Sequence, residues 1–280
     1  MTAINTVQVT GRSLSKENFV PTVVQSKPTS EILRMASGQA IAQIVHGYLT
    51  HEQCVKISAN FTANAGLHVR GDDVKGITVG ADLYGKSSEQ YLHDVRLARE
   101  HVDAIFKDTV NVPAMLRADI ANVMPAGVTV RRAVHEGEPF NDARVIRWMD
   151  EGALALKFHD DHGQLTDPRQ STFETFAVTH PVAFNVYTSV PEEGGELQVV
   201  NICPDRETKE KLGIQYTGYA YTEDMLAGFD RITIKPQEGD LLVLAGEFIH
   251  GVRGIRGKGV RLLLNHFAGF IDDKTFVTWS

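Results

Sequence analysis

The sequence predicts a barrel or jelly roll of short strands braced by helices, and three observations carry that expectation. From Val128 onward the chain breaks into eight short runs rich in β-branched and aromatic residues. Turn-forming stretches such as HEGEP, PEEGG and KPQEGD separate several of these runs. Helical signals crowd into the first 125 residues, so strands and helices are segregated and do not alternate as βαβ units would.

Residues 1–30 are polar and rich in Thr, Ser and Pro, and read as an arm or irregular lead-in. AIAQIVHGYL (40–49) reads as a short strand or buried turn. Thr50 then opens a helix, with Gln53 as its capping-box partner and Val55, Ile57 and Phe61 as its apolar side. A second helix is predicted over Ser88–Lys107, where Tyr91, Val95, Leu97 and Ile105 carry the apolar spacing, and a third over Ala114–Asn122. The strand runs are VTVRRAV, ARVIRW, ALALKFH, VAFNVYTSV, ELQVVNI, RITIKP, DLLVLAG and VRLLLNHFAGF. The stretch 203–229 is charged, mixed and too long for a hairpin turn, the kind of segment that serves as a lid or substrate loop. One domain over 1–280 is expected, with 1–125 as helical flank and lead-in and 126–280 as the β core.

At 280 residues, 42% hydrophobic and 22% charged, the chain can bury a large core and still enclose a pocket. A net charge of −7 without a long basic run argues against a nucleic-acid partner. No stretch approaches ~20 uninterrupted apolar residues, which argues against a membrane span, and MTAINTVQVTGRSLSKENF lacks an apolar signal core. Cys54 and Cys203 stand far apart, outside any C-x-x-C spacing, and read as reduced thiols. The expectation is a cytoplasmic protein acting on a small molecule, with homo-oligomerisation left open.

The chemistry concentrates in ALALKFHDDH (153–162). On a strand, alternate side chains share a face, so Leu154, Leu156 and Phe158 point one way. Ala155, Lys157, His159 and Asp161 then point the other. An imidazole and a carboxylate two residues apart can reach one cation, and His250 in GEFIHGV, just after the strand DLLVLAG, is placed to supply a third ligand. Two histidines and one carboxylate on one octahedral face leave open positions, the arrangement that suits non-haem Fe(II). Arg261, 11 residues after His250, offers a guanidinium for the distal carboxylate of a dicarboxylic 2-oxo acid whose other end chelates the metal.

FHDD (158–161), VYTSVPEEGGELQVV (186–200), IKPQEGDLLVLAGEFIHGV (234–252) and VRLLLNHFAGF (260–270) together resemble the Fe(II)/2-oxoglutarate dioxygenase superfamily. The likeness runs in order over the C-terminal half. It implies a double-stranded β-helix (jelly-roll, cupin-like) core packed against the N-terminal helices, with His159, Asp161 and His250 as iron ligands and Arg261 for 2-oxoglutarate. The helical front half and the endings GGEL and FAGF-x5-TW are similar to hydroxylases of N-succinyl and other N-substituted amino acids and, more distantly, to carrier-independent alkaloid halogenases. Halogenases of this superfamily lack the carboxylate ligand, because halide takes its place. Asp161 is present here, so the resemblance implies hydroxylation of a C–H with Fe(II), 2-oxoglutarate and O2, releasing succinate and CO2. The same chemistry on a protein side chain or another metabolite is the alternative target.

Further residues are candidates. Asn185, Tyr187 and Thr188 precede PEEGG on a strand expected beside the co-substrate, without a strand phase to choose among them. Arg144, Arg147 and Lys157 are candidates for meeting an anionic substrate. Asp160 and His162 fall on the strand face away from the metal, as solvent-facing or supporting groups; Asn265 and His266 lie near Arg261 in the same capacity. Gly80–Ser87 matches the phosphate-binding pattern G-x-x-x-x-G-K-[ST], with Lys86 as its cation, and carries the rival reading of a nucleotide-binding protein. No parallel βαβ unit follows it. The families resembled place a loop of this region at the substrate pocket, which makes Val79, Gly80 and Tyr84 candidate substrate contacts. RGD at 70–72 is a chance match in a chain without an export signal.

Overall fold

A computed structural model describes residues 7–70, 75–149 and 152–280, so Gly71 and Asp72 of the RGD match lie outside the described residues. Each of the eight strand runs becomes a strand, and they divide between two sheets. Among the described residues, the larger sheet has ten strands. Its centre is Leu241–Ala245, Val182–Ser189, Arg261–Asp272 and Arg144–Trp148, paired antiparallel in that order. The smaller sheet runs Tyr219–Tyr221, Leu154–His159, His250–Arg253, Leu197–Val200 and Arg231–Ile234, again antiparallel. Side chains of both sheets line one cavity, and the fold is a double-stranded β-helix.

The front half contributes strands as well as helices. Thr22–Gln25 and Ala42–His46 extend one edge of the larger sheet, and Gly76–Val79 extends the other by pairing with Arg144–Trp148. Sequence reading expected an irregular lead-in over the first of these. It missed Thr22–Gln25 because only four residues pair there and alternate ones are exposed. Thr275–Trp279, which folds back on Arg261–Asp272, was also unassigned.

The helices form where their caps predict. Thr50 accepts from the Gln53 backbone N–H, and the Gln53 side chain returns to Thr50, opening His51–Thr62. Ser87 and Gln90 repeat this box at Ser88–Ile105, and Asn111 caps Val112–Val123. The buried stripes differ from expectation by one exposed residue each, and the second also takes in Leu92 and Val102. Cys54, Ile57 and Phe61 face the core and Val55 is exposed; Tyr91, Leu92, Val95, Val102 and Ile105 are buried and Leu97 is exposed. A stripe advances by three or four residues, and Val55 and Leu97 fall outside it.

Residues 203–229 contain a helix (Arg206–Leu212) and the strand Tyr219–Tyr221, which pairs with the strand bearing His159. Asp160 anchors this stretch. Its carboxylate, 1% exposed, accepts from Lys209 Nζ at 2.7 Å, the Tyr221 hydroxyl at 2.8 Å and the Gly163 N–H at 2.9 Å. Asp160 is therefore no solvent-facing group. Removing one partner of a buried pair leaves the other charge uncompensated. Lys209→Ala should cost about 3 kcal/mol, read as a lower urea midpoint at unchanged slope. The exposed pair Lys211–Glu207 on the same helix should contribute little, so Lys211→Ala is the control.

Candidate metal and co-substrate site

His159 and His250 sit directly opposite each other on neighbouring antiparallel strands. Their rings lie 4.3 Å apart between centroids. Asp161 leaves the end of its strand through a backbone hydrogen bond from its N–H to Gly246 O, 2.7 Å. Its carboxylate comes within 3.7 Å of His159 Nε2 and 3.5 Å of His250 Nε2. One ligand atom from each of the three residues lies within 4.8 Å of the others, and no other such cluster of three occurs among the described residues.

Both imidazoles are oriented through their outer nitrogens. His159 Nδ1 donates to Lys157 O at 2.9 Å and His250 Nδ1 to Phe248 O at 2.8 Å, which leaves both Nε2 lone pairs facing the carboxylate. Burial, reinforced by His250, holds His159 well below the ordinary histidine range. Burial likewise pushes the Asp161 carboxyl up to about 6. Two imidazoles and one carboxylate crowded together are a donor set that a divalent cation satisfies, and its charge would favour ionised Asp161.

The strand carrying His159 does not alternate cleanly. Register shifts occur between Leu154 and Leu156 and again between Leu156 and His159. As a result Leu156 shares the cavity with His159, while Lys157, expected there, is exposed with its ammonium 5.8 Å from the Tyr219 ring. A bulge re-aims side chains in this way, and it removes Lys157 from the candidate site.

The cavity, about 370 Å³, lies between the sheets, with the histidines and Asp161 on the smaller one. On the larger sheet, two polar rows face it across a belt formed by Ile146 and Leu263. The first row is Arg261 beside Trp148, its cross-strand partner. Arg261 is 2% exposed; Nε donates to Gly195 O at 3.2 Å and Nη2 to the Tyr187 hydroxyl at 3.0 Å. Nη1 is buried and finds no hydrogen-bond partner among the described residues. A buried guanidinium donor without a partner, on a residue that lines the cavity, fits a carboxylate. Gly195 is required here: at φ +71° an added Cβ would lie 3.3 Å from Arg261 Cδ and 3.0 Å from Pro191 Cγ. The P-x-x-G-G turn thus shapes the arginine's seat.

The second row is Arg144–Asn265–Asn185. Arg144 Nη2 donates to Asn265 Oδ1 at 2.9 Å and Asn265 Nδ2 to Asn185 Oδ1 at 3.1 Å, with Asp82 3.7 Å from Arg144 Nη1. Of the strand candidates, Asn185 reaches the cavity and Tyr187 reaches Arg261, whereas Thr188 turns to the Leu262 carbonyl. Arg147 alternates with the cavity-lining Ile146 and Trp148 and so faces away. Val79 is fully buried against Val145 and does not line the cavity. His266 is buried beyond its reach.

Tyr84 lines the cavity, and Gly80 lines an adjoining pocket that shares Arg70 and Tyr84 with it. The phosphate-binding reading of Gly80–Ser87 fails on structure. The preceding strand is antiparallel, Ser87 is spent as a helix cap, and Lys86 pairs with Asp94 at 3.0 Å and Asp82 at 3.7 Å. Sequence reading missed Trp148, Asn265's cavity role, and Thr217 and Tyr219, which the 203–229 stretch brings to the rim.

Gly246 is the close neighbour that fixes Asp161: a Cβ there would fall 2.7 Å from Asp161 Oδ2 and 3.0 Å from Asp161 Cβ. Gly246→Ala must displace that carboxylate. Divalent-metal affinity, measured by anaerobic calorimetry, should drop by about tenfold or more while the fold persists, as for lost supporting contacts elsewhere. Unchanged affinity would mean that Asp161 is not a ligand.

L-isoleucine 3(1)-dioxygenase of Pantoea ananatis (strain AJ13355) is 27% identical over 252 residues, 86% of this chain and 83% of the relative. The crystal structure of an N-substituted L-amino acid dioxygenase from Burkholderia ambifaria AMMD superposes with a TM-score of 0.56 at 13% identity, covering 90% of this chain and 91% of that one, and so shares the fold. The sequence profile of the carrier-protein-independent halogenase WelO5 matches residues 19–280, and the chain belongs to that family.

Proposed function

We propose that the protein hydroxylates an aliphatic C–H of a small carboxylate-bearing substrate, best described as an N-succinyl or otherwise N-substituted L-amino acid. The enzyme is an Fe(II)- and 2-oxoglutarate-dependent dioxygenase that consumes O2. The observation that carries the substrate reading is the pair of separate polar rows facing the metal triad, one for each carboxylate. Iron, once bound, supplies the one-electron and O2 chemistry that no side chain provides.

In this reading His159, Asp161 and His250 hold the iron on one face. Arg261, steadied by Tyr187 and Gly195, holds the distal carboxylate of 2-oxoglutarate. Arg144, tied to Asn265 and Asn185, meets the substrate's carboxylate, and Tyr84 closes that end. Leu156, Ile146, Val252 and Leu263 keep water from the reacting carbon. Asp161 sets a carboxylate within 3.7 Å of both imidazoles, where the resemblance implies that halogenases have none, and this supports hydroxylation although the family is named for halogenation. An unsubstituted aliphatic L-amino acid is the second reading, favoured by the printed activity of the Pantoea relative. A cavity enclosed between sheets favours a small molecule over a protein side chain. A net charge of −7 and two unbridged cysteines support a cytoplasmic enzyme without a nucleic-acid partner, and no described helix is long and apolar enough to cross a membrane.

Anaerobic addition of Fe(II) and then 2-oxoglutarate should produce the visible charge-transfer band of a chelated 2-oxo acid, absent in His159→Ala. No band in wild-type protein would sink the assignment of the triad. Arg261→Ala should weaken 2-oxoglutarate binding by about 2–4 kcal/mol, the loss expected when a buried charged pair is broken; an unchanged titration would remove Arg261 from the site.

A further inference from the structure

Trp148 has no role in the arrangement above, yet it occupies its most polar corner. The residue is 7% exposed and lines the cavity. It is the direct cross-strand partner of Arg261, and its ring lies 5.6 Å from the guanidinium carbon. Tyr187 flanks the guanidinium at 5.2 Å, so Arg261 is stacked between two rings as well as hydrogen-bonded. Stacking alone would be served by phenylalanine. The indole N–H is the anomaly: Trp148 Nε1 is buried and has no hydrogen-bond partner among the described residues.

A buried donor without an acceptor is costly, and tryptophan N–H groups ordinarily find one. Two such donors stand at this corner, Arg261 Nη1 and Trp148 Nε1, on paired residues of adjacent strands. Arg261 Nε and one N–H of Nη2 already donate to Gly195 O and the Tyr187 hydroxyl. Nη1 can then engage one oxygen of an anion and the indole N–H the other.

We propose that Trp148 is a co-substrate-binding residue whose indole N–H, together with Arg261 Nη1, holds the distal carboxylate of 2-oxoglutarate. The inference rests on the reading of Arg261 given above and extends it to a two-donor cradle. Trp148 then both stacks on the guanidinium and shares its ligand. Short 2-oxo acids that lack the distal carboxylate gain nothing from it.

The test uses Zn(II)-loaded full-length protein, with calorimetric titration of 2-oxoglutarate and of pyruvate, which lacks the distal carboxylate. Trp148→Phe keeps a ring over the guanidinium and removes only the donor. It should weaken 2-oxoglutarate binding by about tenfold or more, as for a hydrogen bond to a charged group, and leave pyruvate affinity unchanged. Wild-type protein supplies an independent readout: 2-oxoglutarate should shift the Trp148 indole N–H resonance downfield and leave that of Trp279, the other tryptophan, in place. The proposal is overturned if Trp148→Phe binds 2-oxoglutarate normally while Arg261→Ala does not, or if pyruvate loses as much affinity as 2-oxoglutarate. Normal binding in both variants would overturn the Arg261 reading along with it.

Discussion

The register between two short strands governs the site. His159 faces His250 across the smaller sheet, and a slip of one residue would send either imidazole to the opposite face. Several features pin that register. His250–Arg253 is bounded on its other edge by Leu197–Val200, so it cannot slide without breaking a second ladder. The Asp161 N–H to Gly246 O bond ties the end of the His159 strand to the turn that precedes His250. Asp160, one residue earlier, is locked to Lys209 and Tyr221. Adjacent carboxylates thus divide the labour: Asp160 faces a buried ammonium that secures the 203–229 stretch, and Asp161 faces the histidines.

The larger sheet depends on that register for its own role. Its rows at Arg261 and Arg144 are separated along the strands by the Ile146–Leu263 belt, so anions bound at the two rows are held apart while both approach the opposing triad. Backbone pairing sets this spacing, which makes it insensitive to side-chain rotamers. The cost falls on desolvated arginines. Burial lowers the affinity of Arg261 for its proton, and contact with the Tyr187 hydroxyl works in the opposite direction.

Much of this was legible in the sequence because ligands of one cation must come from few elements. H-x-D on a strand, a histidine after another strand and an arginine 11 residues later single out four residues, and the resemblance of the segments around them carries the assignment. The eight strand runs were legible for a similar reason, since buried strands need β-branched and aromatic residues. What period could not supply was departure from period. The bulges around Leu156 exchanged the expected places of Leu156 and Lys157. Thr22–Gln25 carries too few buried residues to announce a strand. Trp148 reads as ordinary core in sequence, and what distinguishes it is an unmatched N–H on a cavity-lining residue paired with Arg261. Asn265 and Asn185 become a pair solely through the pairing of their strands.

The hollow at Gly246 bears on how a member of a family named for halogenation seats a carboxylate beside its two histidines. Here the backbone has been cut back to seat the carboxylate: Gly246 lacks the Cβ that would strike Asp161, and its carbonyl accepts the Asp161 N–H. Asp161 is thus held from its backbone by the Gly246 carbonyl and seated on its flank by the space that a Cβ at Gly246 would fill. Shortening it would open space beside two imidazoles. In the proposed hydroxylase, the turn at Gly246 would support the carboxylate as much as the Asp161 side chain supplies it.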